Sequence, residues 1–384
     1  YNSIIEDMAL KIDLDHTLSR NISLKYGLSN TFHTFVPGVS VVWDNPSAGE
    51  SGIDSTFGSD PIHANEFYVY GESHINLTPK AKINAGIHYS NFLLKEKTYH
   101  SLEPRISARY LFTNNFSLKA SYAKMSQHLH LLANSTIGLP TDLWVPSTTV
   151  IRPQKSWQAA IGSAFSLNNI YEFTLEGYYK EMQNLTEYEE GASFFNMESD
   201  WEEIITTGRG WSYGMEFLIR KTQGNTSGWI GYTLSWANRK FKEISFGRTF
   251  PFKYDHRHDL SIVLTHKFSN TFDVGVSWVY NTGNALTLPD EQFASLEYAE
   301  ELRNPAPSFN YWDDYESDVL GYFETRNSYR MPAYHRLDLG LNFHKDKSWG
   351  QRTWNLGVYN VYARQNPMFL YTSERYEDGK WKTR

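Results

Sequence analysis

The feature that most constrains this chain is a two-residue alternation of apolar and polar side chains that returns in about fourteen segments between residues 4 and 361. In the clearest of them Phe272, Val274, Val276, Trp278 and Tyr280 share one side, against Asp273, Gly275, Ser277 and Asn281. Its neighbour sets Leu260, Ile262, Leu264 and Phe268 against Asp259, Ser261, Thr265 and Lys267. Trp211, Tyr213, Met215, Phe217 and Ile219 repeat the pattern, as do Ile230, Tyr232, Leu234 and Trp236. A helix would space its apolar positions three and four apart, so these segments are strands. Each is near the length of a tilted membrane-spanning strand, about 9–11 residues. Nowhere does the chain hold the roughly 18 consecutive apolar residues of a spanning helix, which excludes a helical membrane protein.

Composition fits that reading. With 21% charged residues the chain looks too polar for a bilayer, yet 16% is aromatic, with 26 Tyr, 23 Phe and 12 Trp. A spanning strand alternates lipid-facing and lumen-facing residues, so it is half polar by count, and aromatics collect at the two interfaces. There is no cysteine, which excludes disulfides and thiolate metal sites. The net charge is −7 and no basic stripe stands out, so no nucleic-acid partner is expected.

The connections alternate in length. Thr78-Pro79-Lys80, Thr113-Asn114-Asn115, Leu167-Asn168-Asn169 and Ser269-Asn270-Thr271 are short turns. Segments 36–62, 133–155, 185–209, 242–256 and 283–333 are long, with a shorter exception at 95–101. Outer-membrane barrels keep short turns on the periplasmic side and long loops outside. A soluble sandwich, propeller or solenoid has no reason to hold that alternation, and no fixed repeat period is visible. The expected fold is therefore all-β: a transmembrane antiparallel barrel. Tyr1 opens without a signal peptide, and Tyr371 to Arg384 reads as another outer loop. Fourteen strands left open would expose two edges to lipid, so further strands are expected outside this sequence.

Several stretches carry a resemblance. They are 121–130 (SYAKMSQHLH), 138–146 (GLPTDLWVP), 153–157 (PQKSW), Glu103-Pro104-Arg105, Asp255-His256-Arg257-His258-Asp259-Leu260, and 355–362 (NLGVYNVY). Together they resemble the barrel of Bacteroidetes-type TonB-dependent outer-membrane transporters, over nearly the whole chain. The resemblance implies a plugged barrel of about 22 strands. The first strand here runs inward to a short turn and the last runs outward to a long loop. Residues 1–384 would then be strands 8 to 21 of such a barrel, with plug, early strands and closing strand absent from this sequence. The family implies an N-terminal plug, a periplasmic box pulled by the TonB complex, and active uptake of a substrate too large or scarce for porins. The alternative is a barrel serving as scaffold of a multi-protein outer-membrane complex, and a passive channel ranks third.

Chemical motifs are sparse. No nucleophile elbow, phosphate loop or zinc motif appears, so the chain reads as no enzyme, with no cofactor and no metal. His128 and His130, and His256 and His258, are two apart, which on a strand would put each pair on one face; no third ligand accompanies them. The cluster Asp313, Asp314, Glu316, Asp318 lacks the glycine and spacing of a calcium loop and reads better as a solvated acidic surface. Segment 185–209 has seven acids and one base, and 283–333 has ten acids and three bases, so the two carry −13 and the rest of the chain +6. Acidic outer loops can steer cationic ligands or bind divalent cations among lipopolysaccharide heads. Both readings stand, and outer-membrane lipid and lipopolysaccharide are expected partners. Aromatics in the loops can stack on a ligand, pack the loops, or meet a surface lipoprotein. The expected substrate-contacting residues are Trp144, Trp201, Tyr311, Trp312, Asp313 and Asp314.

Register gives a sharper expectation. Val274, Val276, Ile262, Leu264, Leu339 and Leu341 should face lipid, and Asp259, Glu216, Arg105, Arg109 and Asp338 the lumen. In the sixth strand the apolar phase of Phe116, Leu118, Ala120 and Tyr122 runs on to Lys124, so a bulge or the membrane boundary should lie there.

Overall fold

The computed structural model describes residues 2–43, 54–57, 61–132, 143–190, 192, 201–288, 291–294, 319–368, 370, 374–377 and 380–383. Its main element is a sixteen-stranded sheet; Asp54–Phe57 and Thr249–Pro251 lie off its path, which leaves fourteen wall strands. These are β1 (Asn2–Ser19), β2 (Ile22–Trp43), β3 (Ile62–Asn76), β4 (Ala81–Leu93), β5 (Thr98–Leu111), β6 (Phe116–Gln127) and β7 (Gln154–Leu167). They continue as β8 (Tyr171–Tyr188), β9 (Ile205–Lys221), β10 (Thr226–Lys240), β11 (His258–Ser269), β12 (Phe272–Asn281), β13 (Tyr334–Lys347) and β14 (Gly350–Val358). Each pairs antiparallel with the next. Among the described residues no helix is long and apolar enough to cross a membrane.

The short turns hold themselves. Asn168 and Asn169 both take positive φ, 53° and 57°, and Ile170 N donates to Leu167 O at 3.0 Å. That is the two-residue hairpin turn that matches strand twist, and asparagine tolerates it. At 113–116 the Thr113 hydroxyl accepts from Asn115 N and Phe116 N at 3.2 and 3.0 Å, and Thr78 does the same for Lys80 N and Ala81 N.

Opposed residues of an antiparallel pair share a face, so register sorts the wall into two surfaces. Val276 stands between Leu264 and Leu339, Val274 opposite Leu341, and Ile262 opposite Trp278. This face leaves Met8 77%, Leu10 66%, Ile161 65% and Leu356 61% exposed. So much apolar area across a whole sheet needs lipid to cover it. On the other face Ser277 stands between Val263 and Asp338, Glu216 between Glu176 and Thr233, and Thr233 opposite Asp259. Arg105 and Arg109 share that inner face, opposite Ala123 and Lys119. Every residue of the two expected sets therefore lies on the face assigned to it.

Aromatics gather at two levels. The outer level holds Tyr122, Trp157, Tyr179, Tyr213 and Trp236, with neighbouring ring centroids 5.2–6.2 Å apart. At the periplasmic level the rings are mostly phenylalanine: Phe116 opposite Phe165, Phe165 opposite Phe173, Phe272 opposite Phe343. Tyr110, against Phe112, and Trp354, opposite Phe343, stand among them, so Trp and Tyr occur at both levels, with phenylalanine predominant at this one. The ambiguity at β6 also resolves. Its register against β7 is unbroken from Phe116 to Gln127, so there is no bulge. Lys124 faces outward in one row with Trp157, Glu181 and Trp211, the composition of a membrane boundary.

The strands outrun the membrane. β2 continues to Trp43 and pairs with Asp54–Phe57, while β8 and β9 stay paired to Tyr188 and Ile205. Parts of segments 36–62 and 185–209, expected as loops, are thus strand. Two-stranded ribbons satisfy their own backbone groups, so they persist beyond the bilayer.

Candidate functional site

The buried apolar clusters of the described residues lie at the outer end of the wall, where a mouth would form. Phe35, Ala64 and Phe92 make one on the inner face of β2–β4. Leu185, Phe241, Ile244 and Phe250 make a second, and Leu132, Leu143, Val145 and Tyr188 a third. Leu185 and Tyr188, one from each of the last two, both follow a bulge in β8. Register slips between Gln183 and Leu185, with Asn184 at φ 56°. One extra residue reverses strand parity. Leu185 and Glu187 therefore turn onto the inner side, opposite Gly208 and Thr206.

Two buried carboxylates tie the mouth together. Glu187 accepts from Arg239, and Arg326 Nη1 lies 4.0 Å from its second oxygen while donating to Tyr188 O at 2.8 Å. The Arg239 guanidinium lies over Phe252, its Cζ 3.6 Å from the ring centroid. Asp255 Oδ1 accepts from Ala237 N at 2.7 Å; its Oδ2 accepts from Arg257 at 3.0 Å and Arg330 at 2.6 Å. Arg330 also donates to Gly283 O at 3.1 Å. Asn327, at φ 56°, donates through Nδ2 to Pro251 O at 2.9 Å, and its backbone N donates to Thr287 Oγ1 at 3.0 Å. Segments 185–190, 237–257, 283–288 and 322–331 are thereby locked to one another.

The sequence singled out Asp255 and Arg257 as part of a motif but missed Glu187, Arg239, Arg326 and Arg330. Their partners lie up to 138 residues away in the chain. Only the fold brings them together.

The expected substrate residues separate. Trp144 is 43% exposed, on the strand Leu143–Pro146 that pairs with Leu129–Leu132. Trp201 packs against the cluster of Leu132, Leu143, Val145 and Tyr188. Leu143 and Val145 point into that cluster, so strand alternation turns Trp144 the other way. Tyr311, Trp312, Asp313 and Asp314 lie outside the described residues, as does the rest of their acidic cluster.

The histidine pairs also part. His128 falls between β6 and the Leu129–Leu132 strand, and its ring stacks on Phe92 with centroids 4.5 Å apart. His130 instead lies 3.0 Å from Ser147 Oγ and 3.1 Å from Gln154 Nε2. Burial depresses the pKa of both, that of His130 to about 4. His256 precedes β11, and His258 Nδ1 meets Tyr232 Oη at 2.8 Å. Strand parity thus holds for neither pair. Among the described residues no group of three His, Asp or Glu is placed to hold a metal.

No curated protein matches the chain. Solved structures match its fold. The ferric-catecholate import receptor Fiu of E. coli is 15% identical at a TM-score of 0.59, over 95% of this chain and 51% of that one. The FrpB iron transporter of Neisseria meningitidis is 12% identical at 0.61, over 94% and 51%. The ferripyoverdine receptor of the Pseudomonas aeruginosa outer membrane, bound to ferripyoverdine, is 14% identical at 0.55, over 94% and 44%. The chain spans about half the length of these structures. The family described as TonB dependent receptor-like, beta-barrel matches residues 2–361. With its lipid-facing and lumen-facing surfaces and its interlocked mouth, the chain belongs to the TonB-dependent receptor β-barrel family of the outer membrane.

Proposed function

We propose that the protein of which this chain forms the barrel wall takes up a scarce or bulky substrate actively across the outer membrane, driven through TonB. The family match over residues 2–361 carries the reading. In it the chain supplies the eighth to twenty-first strands of a plugged barrel of about 22 strands, of the Bacteroidetes type that its motifs resemble. TonB would engage a region outside this sequence. Three similar structures are receptors or transporters of iron or an iron complex by their descriptions. That supports a high-value cargo without naming it.

Substrate would meet the protein at the mouth, since a plug fills the lumen below. Trp144 is exposed there, as are Phe246 and Tyr329, and Trp201, Tyr311, Trp312, Asp313 and Asp314 complete the proposed contact set. The test is uptake by cells carrying the full-length gene, with and without a functional TonB. Uptake abolished without TonB is expected. A stable co-purifying partner and uptake indifferent to TonB would favour the scaffold reading instead.

A further inference from the structure

On the inner wall three bases oppose one another directly. Lys82 of β4 stands opposite Arg109 of β5, and Arg109 opposite Lys119 of β6. Like charges in directly opposed cross-strand positions repel. Elsewhere the same wall pairs charges: Arg336 with Asp338 at 2.9 Å, Lys11 with Asp13 at 3.1 Å, and Arg220 with Glu172. Among the described residues none of the three bases has a carboxylate within ion-pair distance, and Arg109 Nε is buried without a hydrogen-bond partner. They line a recess of about 330 Å³, together with Asn84, Ser107 and Ser121.

The row continues through Gly162 to Glu176, which also borders the recess. Gly162 has no side chain, and the Glu176 carboxylate leans over it toward Lys119 without closing an ion pair. With three bases and one acid the lining is +2. It offers a guanidinium, two ammonium groups, two hydroxyls and an amide to one small volume. Such a donor set suits an anion with several oxygens better than a spherical ion.

We infer that Lys82, Arg109 and Lys119 form an oxyanion site near the periplasmic end of the lumen, occupied by a carboxylate or phosphate group. The site follows from register and does not depend on the cargo. Its occupant is either a free oxyanion in the lumen or a carboxylate side chain of a segment folded inside the barrel.

The experiment uses the full-length protein, with citrate as probe. Citrate titration and thermal unfolding are compared between wild type, the Lys82→Gln/Arg109→Gln/Lys119→Gln variant, and Arg105→Gln, an inner-wall control 3.9 Å from Glu103. A free oxyanion predicts citrate binding that weakens roughly tenfold per base removed. A resident side chain predicts no citrate binding to wild type, but a lower unfolding midpoint in the triple variant. Arg105→Gln should leave citrate binding unchanged and the midpoint close to that of wild type. An empty cluster gives the opposite sign, because glutamines relieve repulsion. Absent citrate binding with an equal or raised midpoint therefore overturns the inference, as does citrate binding that survives the triple substitution. Should the triple variant fail to fold, Lys82→Gln alone gives the same two signs.

Discussion

At residue scale the membrane divides what a position tolerates. Val276, flanked by Leu264 and Leu339, faces lipid, and Ser277, flanked by Val263 and Asp338, faces the lumen. Arginine at a mid-bilayer lipid position costs roughly 2–4 kcal/mol and little in the lumen. Val276→Arg should therefore impair folding into bilayers while Ser277→Arg is accepted; the reverse would mean the register is off by one. Asp255 is the matching case in the mouth. Its carboxylate holds Ala237, Arg257 and Arg330. Asp255→Ala strands two arginines at a cost of about 3–5 kcal/mol, to be read as faster protease cleavage in 241–257 with the wall still intact. His130 adds a pH dependence. Burial holds its folded pKa at about 4, below the ordinary histidine value of 6.5, so its neutral form is the one the fold accepts. The stability it allows is full above pH 6.5 and drains as pH falls toward 4, at most about 3 kcal/mol. Amide exchange in 129–132 and 143–146, corrected for intrinsic rate, should quicken over that window, and His130→Gln should flatten the change.

At the scale of elements, the alternation shows which strands exist and which way they face, and turn chemistry shows where half of them end. Asn168-Asn169 illustrates why: a turn that needs two positive φ values leaves its mark in residue type. The outer ends are harder, because a ribbon that leaves the bilayer loses the apolar face that announces it. β8 shows this: its last residues, Leu185-Thr186-Glu187-Tyr188, follow a bulge and carry no simple alternation. Deleting Asn184 should restore parity, turn Glu187 away from Arg239, and release the mouth while leaving β8 paired below. Unchanged protease resistance of the loops in that deletion would mean the bulge does not position Glu187.

At the scale of the molecule, the wall is a sheet whose apolar side is covered by lipid, and its buried apolar clusters gather at the mouth. Ligand affinity is expected to follow the mouth. If acidic loops attract a cationic cargo, binding to the intact receptor should weaken as salt rises, whereas aromatic stacking would leave it nearly constant. A Trp312→Ala, Asp313→Asn, Asp314→Asn variant with unchanged affinity would reduce those residues to loop packing. By itself the sequence determined the all-β class, the fourteen wall strands, their facing and the membrane setting, because each is written in a local period of two and in loop length. It also carried the acidic bias of the loops. Only the tertiary structure decided that Glu187 and Asp255 clamp the mouth, that Trp201 packs inward while Trp144 is exposed, and that Lys82, Arg109 and Lys119 share one row. Those contacts depend on register and a bulge that join residues distant in the chain, and no local pattern encodes which partner a buried charge will meet.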